Sequence, residues 1–213
     1  MQCLKSFEAA HSDGVTSLTF SDERNKVLSS SFDGTVRIHG IKSGKMLKEF
    51  RGHESFVHAA RFSEDGDAVL SASVDGTIAR WDALSGDCTK RFQLPNEKPA
   101  IDVRCCSETE ILATSSGSAA FLMSADGVVI RKYEIKKTVD DGGPIIACTV
   151  SNHGEYVYTL TEAGTLCCFE YKTGKLLQSL KTGIKRAIGL ALHPRKNIVA
   201  CYSQEGVVQL LKD

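Results

Sequence analysis

Neither sign of charge is in excess. The 26 lysines and arginines are matched by 26 aspartates and glutamates, for a formal net charge of zero. Holding nucleic acid mainly by a positive field needs a basic surplus on one face, so direct RNA binding is not expected. Long apolar runs are also missing. None approaches the roughly 20 residues that a membrane-spanning helix requires. The first six residues lack the apolar stretch of a secretory leader, so an intracellular protein is expected. Proline occurs only four times, outside the strand-like runs, and no stretch shows a convincing helical period.

Eight cysteines are present, yet no Cys-x-x-Cys spacing occurs, which removes the usual zinc pattern. The pairs Cys105-Cys106 and Cys167-Cys168 are adjacent, and neighbours on a strand point to opposite faces, so neither pair can grip one ion. The thiols are expected to be reduced, mostly buried small hydrophobes in a reducing compartment. Hydrophobic residues make up 42% and charged residues 24%, enough apolar material to order a 213-residue chain without staples.

What is present is a repeat. The turn glycines Gly34, Gly76, Gly117, Gly164 and Gly206 are spaced by 42, 41, 47 and 42 residues. Five positions after each comes a large or ring-bearing residue: His39, Trp81, Leu122, Phe169 and Leu211. Ten positions after the first four comes another glycine. Fourteen positions before each stands an apolar residue: Phe20, Phe62, Val103, Val150 and Leu192. Self-similarity at a period near 42 points to stacked modules.

Inside each module, apolar runs alternate with turn chemistry such as Asp33-Gly34, Asp75-Gly76, Ser43-Gly44 and Ser85-Gly86. Each module therefore reads as a four-stranded antiparallel meander. The repeats span approximately 11–50, 53–93, 94–135, 142–180 and 183–213. Residues 1–8 resemble a fourth strand and could complete the last module. In the third repeat the second strand, around Ile111–Thr114, is displaced by one residue.

Trp81-Asp82, with Gly52-His53 upstream and Asp75 between, resembles the WD40 repeat. The fold class implied is all-β, built of four-stranded WD40 β-propeller blades. These would form either a closed ring of five or part of a seven-blade propeller. In that family a histidine, a strand serine, a turn aspartate and a tryptophan form a hydrogen-bonded tetrad. The resemblance assigns these roles to His53, Ser71 (or Ser73), Asp75 and Trp81 in the second repeat. In the first it assigns them to His11, Ser29 (or Ser31) and Asp33, with His39 in the tryptophan's place. The later repeats hold Ser116, Ala163 and Glu205 at the aspartate position and must rely on apolar packing. Serine, histidine and aspartate together could also be read as a catalytic triad, but the repeat already accounts for all three.

A narrower resemblance covers nearly the whole chain. Residues 2–21, 32–62, 174–180 and 193–210 are similar to the C-terminal five repeats of the suppressor-of-mec-and-unc family of spliceosomal WD40 proteins. That family has two further repeats and a helical region upstream. It implies a nuclear protein acting in pre-mRNA splicing before spliceosome activation. The implied partners are the RED protein, a splicing-factor 3b subunit and a Brr2-type helicase. Candidate partner contacts are the loops Glu54-Ser55-Phe56 and Ser12-Asp13-Gly14, with Phe56 as an anchor, and Lys185 and Arg186, which with Arg195 and Lys196 form a small basic cluster that reads as a solvated face more than as an RNA contact.

No phosphate loop, metal-ligand spacing or Gly-x-Ser-x-Gly elbow is found, so no enzyme and no cofactor is expected. The alternatives are a substrate receptor of a cullin-type ubiquitin ligase or a scaffold in another complex. Receptors that dock through a Trp-Asp-x-Arg box need arginine two places after the aspartate, where this chain has Leu84.

Overall fold

The computed structural model describes residues 3, 5–21, 23, 25–95, 98–135 and 142–212. Every regular element among them is a β-strand. The first sheet is β1 (Val15–Phe20), β2 (Lys26–Ser31), β3 (Val36–Gly40) and β4 (Met46–Phe50). The second is β5 (Val57–Phe62), β6 (Ala68–Ser73), β7 (Thr77–Asp82) and β8 (Cys88–Gln93). The third is β9 (Ala100–Cys105), β10 (Glu110–Ser115), β11 (Ala119–Ser124) and β12 (Val129–Glu134). The fourth is β13 (Ile145–Val150), β14 (Tyr156–Thr161), β15 (Thr165–Glu170) and β16 (Leu176–Lys181). The fifth is β17 (Ala187–Leu192), β18 (Ile198–Ser203) and β19 (Val208–Lys212). In every sheet the spatial order follows the chain order, the meander expected of a propeller blade.

The turns explain the hairpins. Gly34 and Gly76 take φ of 78° and 83°, a conformation costly for any residue with a Cβ. Their amides donate to the Ser31 and Ser73 carbonyls at 3.3 and 3.1 Å, closing the β2–β3 and β6–β7 turns. The third sheet differs. Gly117 is not among the left-handed glycines, and its amide reaches back only two residues, to the Ser115 carbonyl at 2.6 Å. Strand β10 ends two residues before its turn glycine, whereas β2, β6, β14 and β18 end three before theirs. The one-residue displacement read from the sequence is this altered turn.

Burial follows strand position. The second strands β6, β10 and β14 are almost wholly buried. The fourth strands β8, β12 and β16 are mostly exposed and β4 partly so, and all four carry lysine, arginine or glutamate. Charged side chains on an outer strand discourage pairing with another sheet. A β-bulge recurs near the start of β1, β5, β13 and β17, adding local twist at the same place in each module.

The chain divides into two compact units, residues 1–108 and 109–213. In the first, Leu28, Ile38, Phe50, Val57, Val69 and Trp81 form a continuous core between the first two sheets. In the second, Tyr158, Leu160, Ile184, Leu190, Val199 and Cys201 do the same for the fourth and fifth. Residues 5–7 carry no strand, and Met1, Gln2 and Leu4 lie outside the described residues. Phe7 nevertheless stacks on His39 with ring centroids 5.1 Å apart. Phe50 against Trp81 (5.8 Å) and Tyr133 against Phe169 (5.8 Å) repeat that contact from the ends of β4 and β12. Phe7 thus occupies the place of a fourth-strand terminal aromatic.

Candidate functional site: two polar tetrads and the loops above them

His53 precedes β5 in a loop anchored at both ends, and its ring is 1% exposed. Nδ1 lies 2.9 Å from Asp75 Oδ2, and Nε2 lies 2.7 Å from Ser71 Oγ. A carboxylate only accepts, so Nδ1–H donates to Asp75 and Nε2 accepts from the Ser71 hydroxyl. Ser71 Oγ in turn accepts the Trp81 Nε1–H at 2.8 Å. One hydroxyl therefore joins the tryptophan of β7 to the histidine of the preceding loop. Burial, the largest influence, pushes the His53 pKa down despite Asp75 beside it, and the ring stays neutral at pH 7.

The first repeat builds the same chain with one substitution. His11 Nδ1 lies 3.0 Å from Asp33 Oδ2, and Nε2 lies 2.8 Å from Ser29 Oγ. His39 stands where Trp81 stands, its Nε2 3.1 Å from Ser29 Oγ. An imidazole N–H takes the place of an indole N–H, and Phe7 lies against that ring as Phe50 lies against Trp81. Burial first, then the nearby His11 and Arg37, hold the His39 pKa below its usual value.

The structure brings the assigned residues together and selects Ser29 and Ser71 over Ser31 and Ser73. The latter two are engaged elsewhere, and their hydroxyls donate to the Gly14 and Phe56 carbonyls at 2.9 and 2.8 Å. Sequence reasoning missed Thr35 and Thr77. Each donates its hydroxyl to the aspartate Oδ1 at 2.6 Å, and its amide to the same atom at 2.9 and 2.8 Å. The signal was the repeated Asp-Gly-Thr at 33–35 and 75–77. The Ser12 and Glu54 amides each add a bond to Oδ2 at 3.1 Å. Burial raises the Asp75 carboxyl, but the Thr77 and His53 bonds outweigh it and bring the pKa to about 2. Asp33 is likewise held below the usual carboxylate range.

This geometry ties a loop to its sheet and engages the Ser29 and Ser71 hydroxyls with neighbouring rings. Ser71 is fully buried, and its oxygen is committed to both Trp81 and His53. The buried Cys167 and Cys201 thiols and the half-buried Cys105 are pushed up to about 11, mainly by burial. Among the described residues, no group of three or more histidine, cysteine or acidic side chains could hold a metal ion.

The candidate contact residues separate. Glu54, Ser55 and Phe56 lie in the loop before β5, with Phe56 48% exposed. Lys185 and Arg186 are exposed just before β17, while Arg195 and Lys196 occupy the turn after it. Six residues of strand, at about 3.3 Å each, hold the two basic pairs about 20 Å apart. The single basic cluster expected from the sequence does not form, because β17 runs between its halves.

All-antiparallel meanders repeated at about 42 residues, and tetrads tying loop to strand, define a WD40 β-propeller scaffold for protein interactions. The family described as WD domain, G-beta repeat matches residues 1–39 and 44–82, and the chain is a WD40-repeat protein. A curated relative, the WD40 repeat-containing protein smu1 of Dictyostelium discoideum, is 36% identical over 213 residues. The match takes in 99% of this chain and 40% of that protein, so the chain spans well under half of its relative. In the crystal structure of the WD40 beta propeller domain of Doa1, the likeness has a TM-score of 0.82 at 20% identity. It covers 94% of this chain and 64% of that one, and it is a likeness of fold.

Proposed function

We propose that the chain is a non-catalytic docking body in pre-mRNA splicing, working in the nucleus before the spliceosome is activated. The observation that carries this reading is the 36% identity to the smu1 protein along 99% of the chain. The tetrads support the non-catalytic part, since their polar atoms are spent on one another. Blades of this kind hold their loops rigidly while leaving loop side chains free to differ, which suits a surface that several proteins share. The RED protein, a splicing-factor 3b subunit and a Brr2-type helicase are the proposed partners. Leu84 is 86% exposed in the turn after Trp81-Asp82, where a ligase receptor of the Trp-Asp-x-Arg type needs arginine.

Affinity capture of the tagged chain from nuclear extract, read by mass spectrometry, tests the proposal. Splicing proteins are expected in the eluate. Recovery of cullin-ligase subunits without splicing proteins would overturn the reading.

A further inference from the structure

The loops above the first two sheets carry a pair of exposed phenylalanines. Phe32 and Phe56 meet edge to face, ring centroids 5.4 Å apart and planes at 81°, yet remain 42% and 48% exposed. They come from different sheets, Phe32 from the β2–β3 turn and Phe56 from the loop before β5. The repeat shows how the pair is made. The place of Phe56 in the first module is held by Gly14, where a Cβ would lie 3.0 Å from the Phe32 ring. The glycine opens the space into which Phe32 leans. At Gly34 a Cβ would lie 3.3 Å from the Ser55 carbonyl oxygen, so the two loops form one continuous surface.

The same loops are acidic. Residues 12–14, 32–35, 54–56 and 74–77 contain Asp13, Asp33, Glu54 and Asp75 and no lysine or arginine, while Arg51, at the start of the loop that holds Glu54, is paired with Glu49 at 2.6 Å. Asp33 has Arg37 at 3.9 Å and His11 at 3.0 Å, and Asp75 has His53 at 2.9 Å. Asp13 and Glu54 are exposed, next in chain to Gly14 and two residues from Phe56; Asp13 Oδ1 accepts the Gly14 amide at 2.6 Å, and the two carboxylates bring negative charge to the loops that carry the rings.

We propose that this surface docks an extended protein segment in which an apolar side chain is flanked by lysines or arginines. The inference rests on the scaffold reading and gives it a surface and a partner class. The apolar residue would pack on the exposed faces of Phe32 and Phe56, and aromatic anchors of this kind dominate interface energies. The flanking cations would meet Asp13 and Glu54, and an arginine could also lie over a free ring face. The acidic rim repels phosphate, which sets a peptide apart from RNA.

Fluorescence anisotropy on the 213-residue chain tests the surface. The probe is a labelled nonapeptide with a central phenylalanine between two arginine-lysine pairs. Controls carry a central alanine, or glutamates in place of the cations. A uridine-rich RNA is the third competitor. The basic phenylalanine peptide is expected to bind best, with affinity falling as salt rises. Phe32→Ser with Phe56→Ser, and separately Asp13→Lys with Glu54→Lys, are each expected to weaken it about tenfold. Thermal unfolding checks that each variant folds, and if the serine variant does not, Glu54→Lys alone carries the test. No binding, equal binding of the acidic peptide, unchanged affinity in the folded variants, or preference for the RNA would each overturn the proposal. If these assays fail while capture still recovers splicing proteins, docking uses another surface and the scaffold reading stands. If capture fails as well, both fall.

Discussion

At the scale of the residue, Ser71 explains most about the second blade. It is fully buried, and its hydroxyl touches both Trp81 and His53. Removing the tryptophan strips a large buried ring from Phe50 and His53 and leaves the hydroxyl without its donor. Trp81→Ala is therefore expected to cost about 3–5 kcal/mol in denaturant unfolding. Binding of the basic peptide should persist wherever the variant is folded, because Trp81 is 1% exposed and contributes no surface to the docking loops. An unchanged denaturant midpoint would remove the tetrad from the account of stability. His39 shows how much a repeat can change at such a point: the donor to the serine survives and the large ring does not.

At the scale of the element, the turns carry the lesson. Gly76 takes a left-handed φ of 83°, and a Cβ there would come within 2.4 Å of Gln93 Nε2. Gly117, at the matching place in the third sheet, has no left-handed φ. Gly76→Ala is expected to lose about 1 kcal/mol or more, and Gly117→Ala only a few tenths, in paired denaturant melts. Equal losses would mean that the third turn is strained in some other way. Strand identity was legible in the sequence because glycine spacing and Asp-Gly dipeptides are local signals, whereas the tetrads came from the resemblance to the WD40 repeat. Thr35 and Thr77 were overlooked because a threonine after Asp-Gly also reads simply as the first residue of a strand. The basic pairs were misjudged for the opposite reason. Lys185-Arg186 and Arg195-Lys196 are close in sequence, but an extended strand converts that closeness into length.

At the scale of the whole molecule, the cover of the first sheet is the place to test. Phe7 lies against His39 as Phe50 lies against Trp81. A chain beginning at residue 9 is expected to lose hydrogen-exchange protection at the β3 amides and keep it at the β6 amides. Unaltered protection in β3 would mean that Phe7 contributes nothing to the first sheet. Modules that touch only their neighbours add stability piece by piece, so such a loss should stay local.

Among the described residues, the tetrads occur only in the first and second sheets, which together with β9 lie in one of the two compact units. The fourth and fifth sheets pack on a shared apolar core, and Tyr133 and Tyr171 donate their hydroxyls to the Tyr171 carbonyl and to Glu110. Under thermal or mechanical load the chain would then give way from its C-terminal modules inward. Its N-terminal pair would remain folded while the rest loosens.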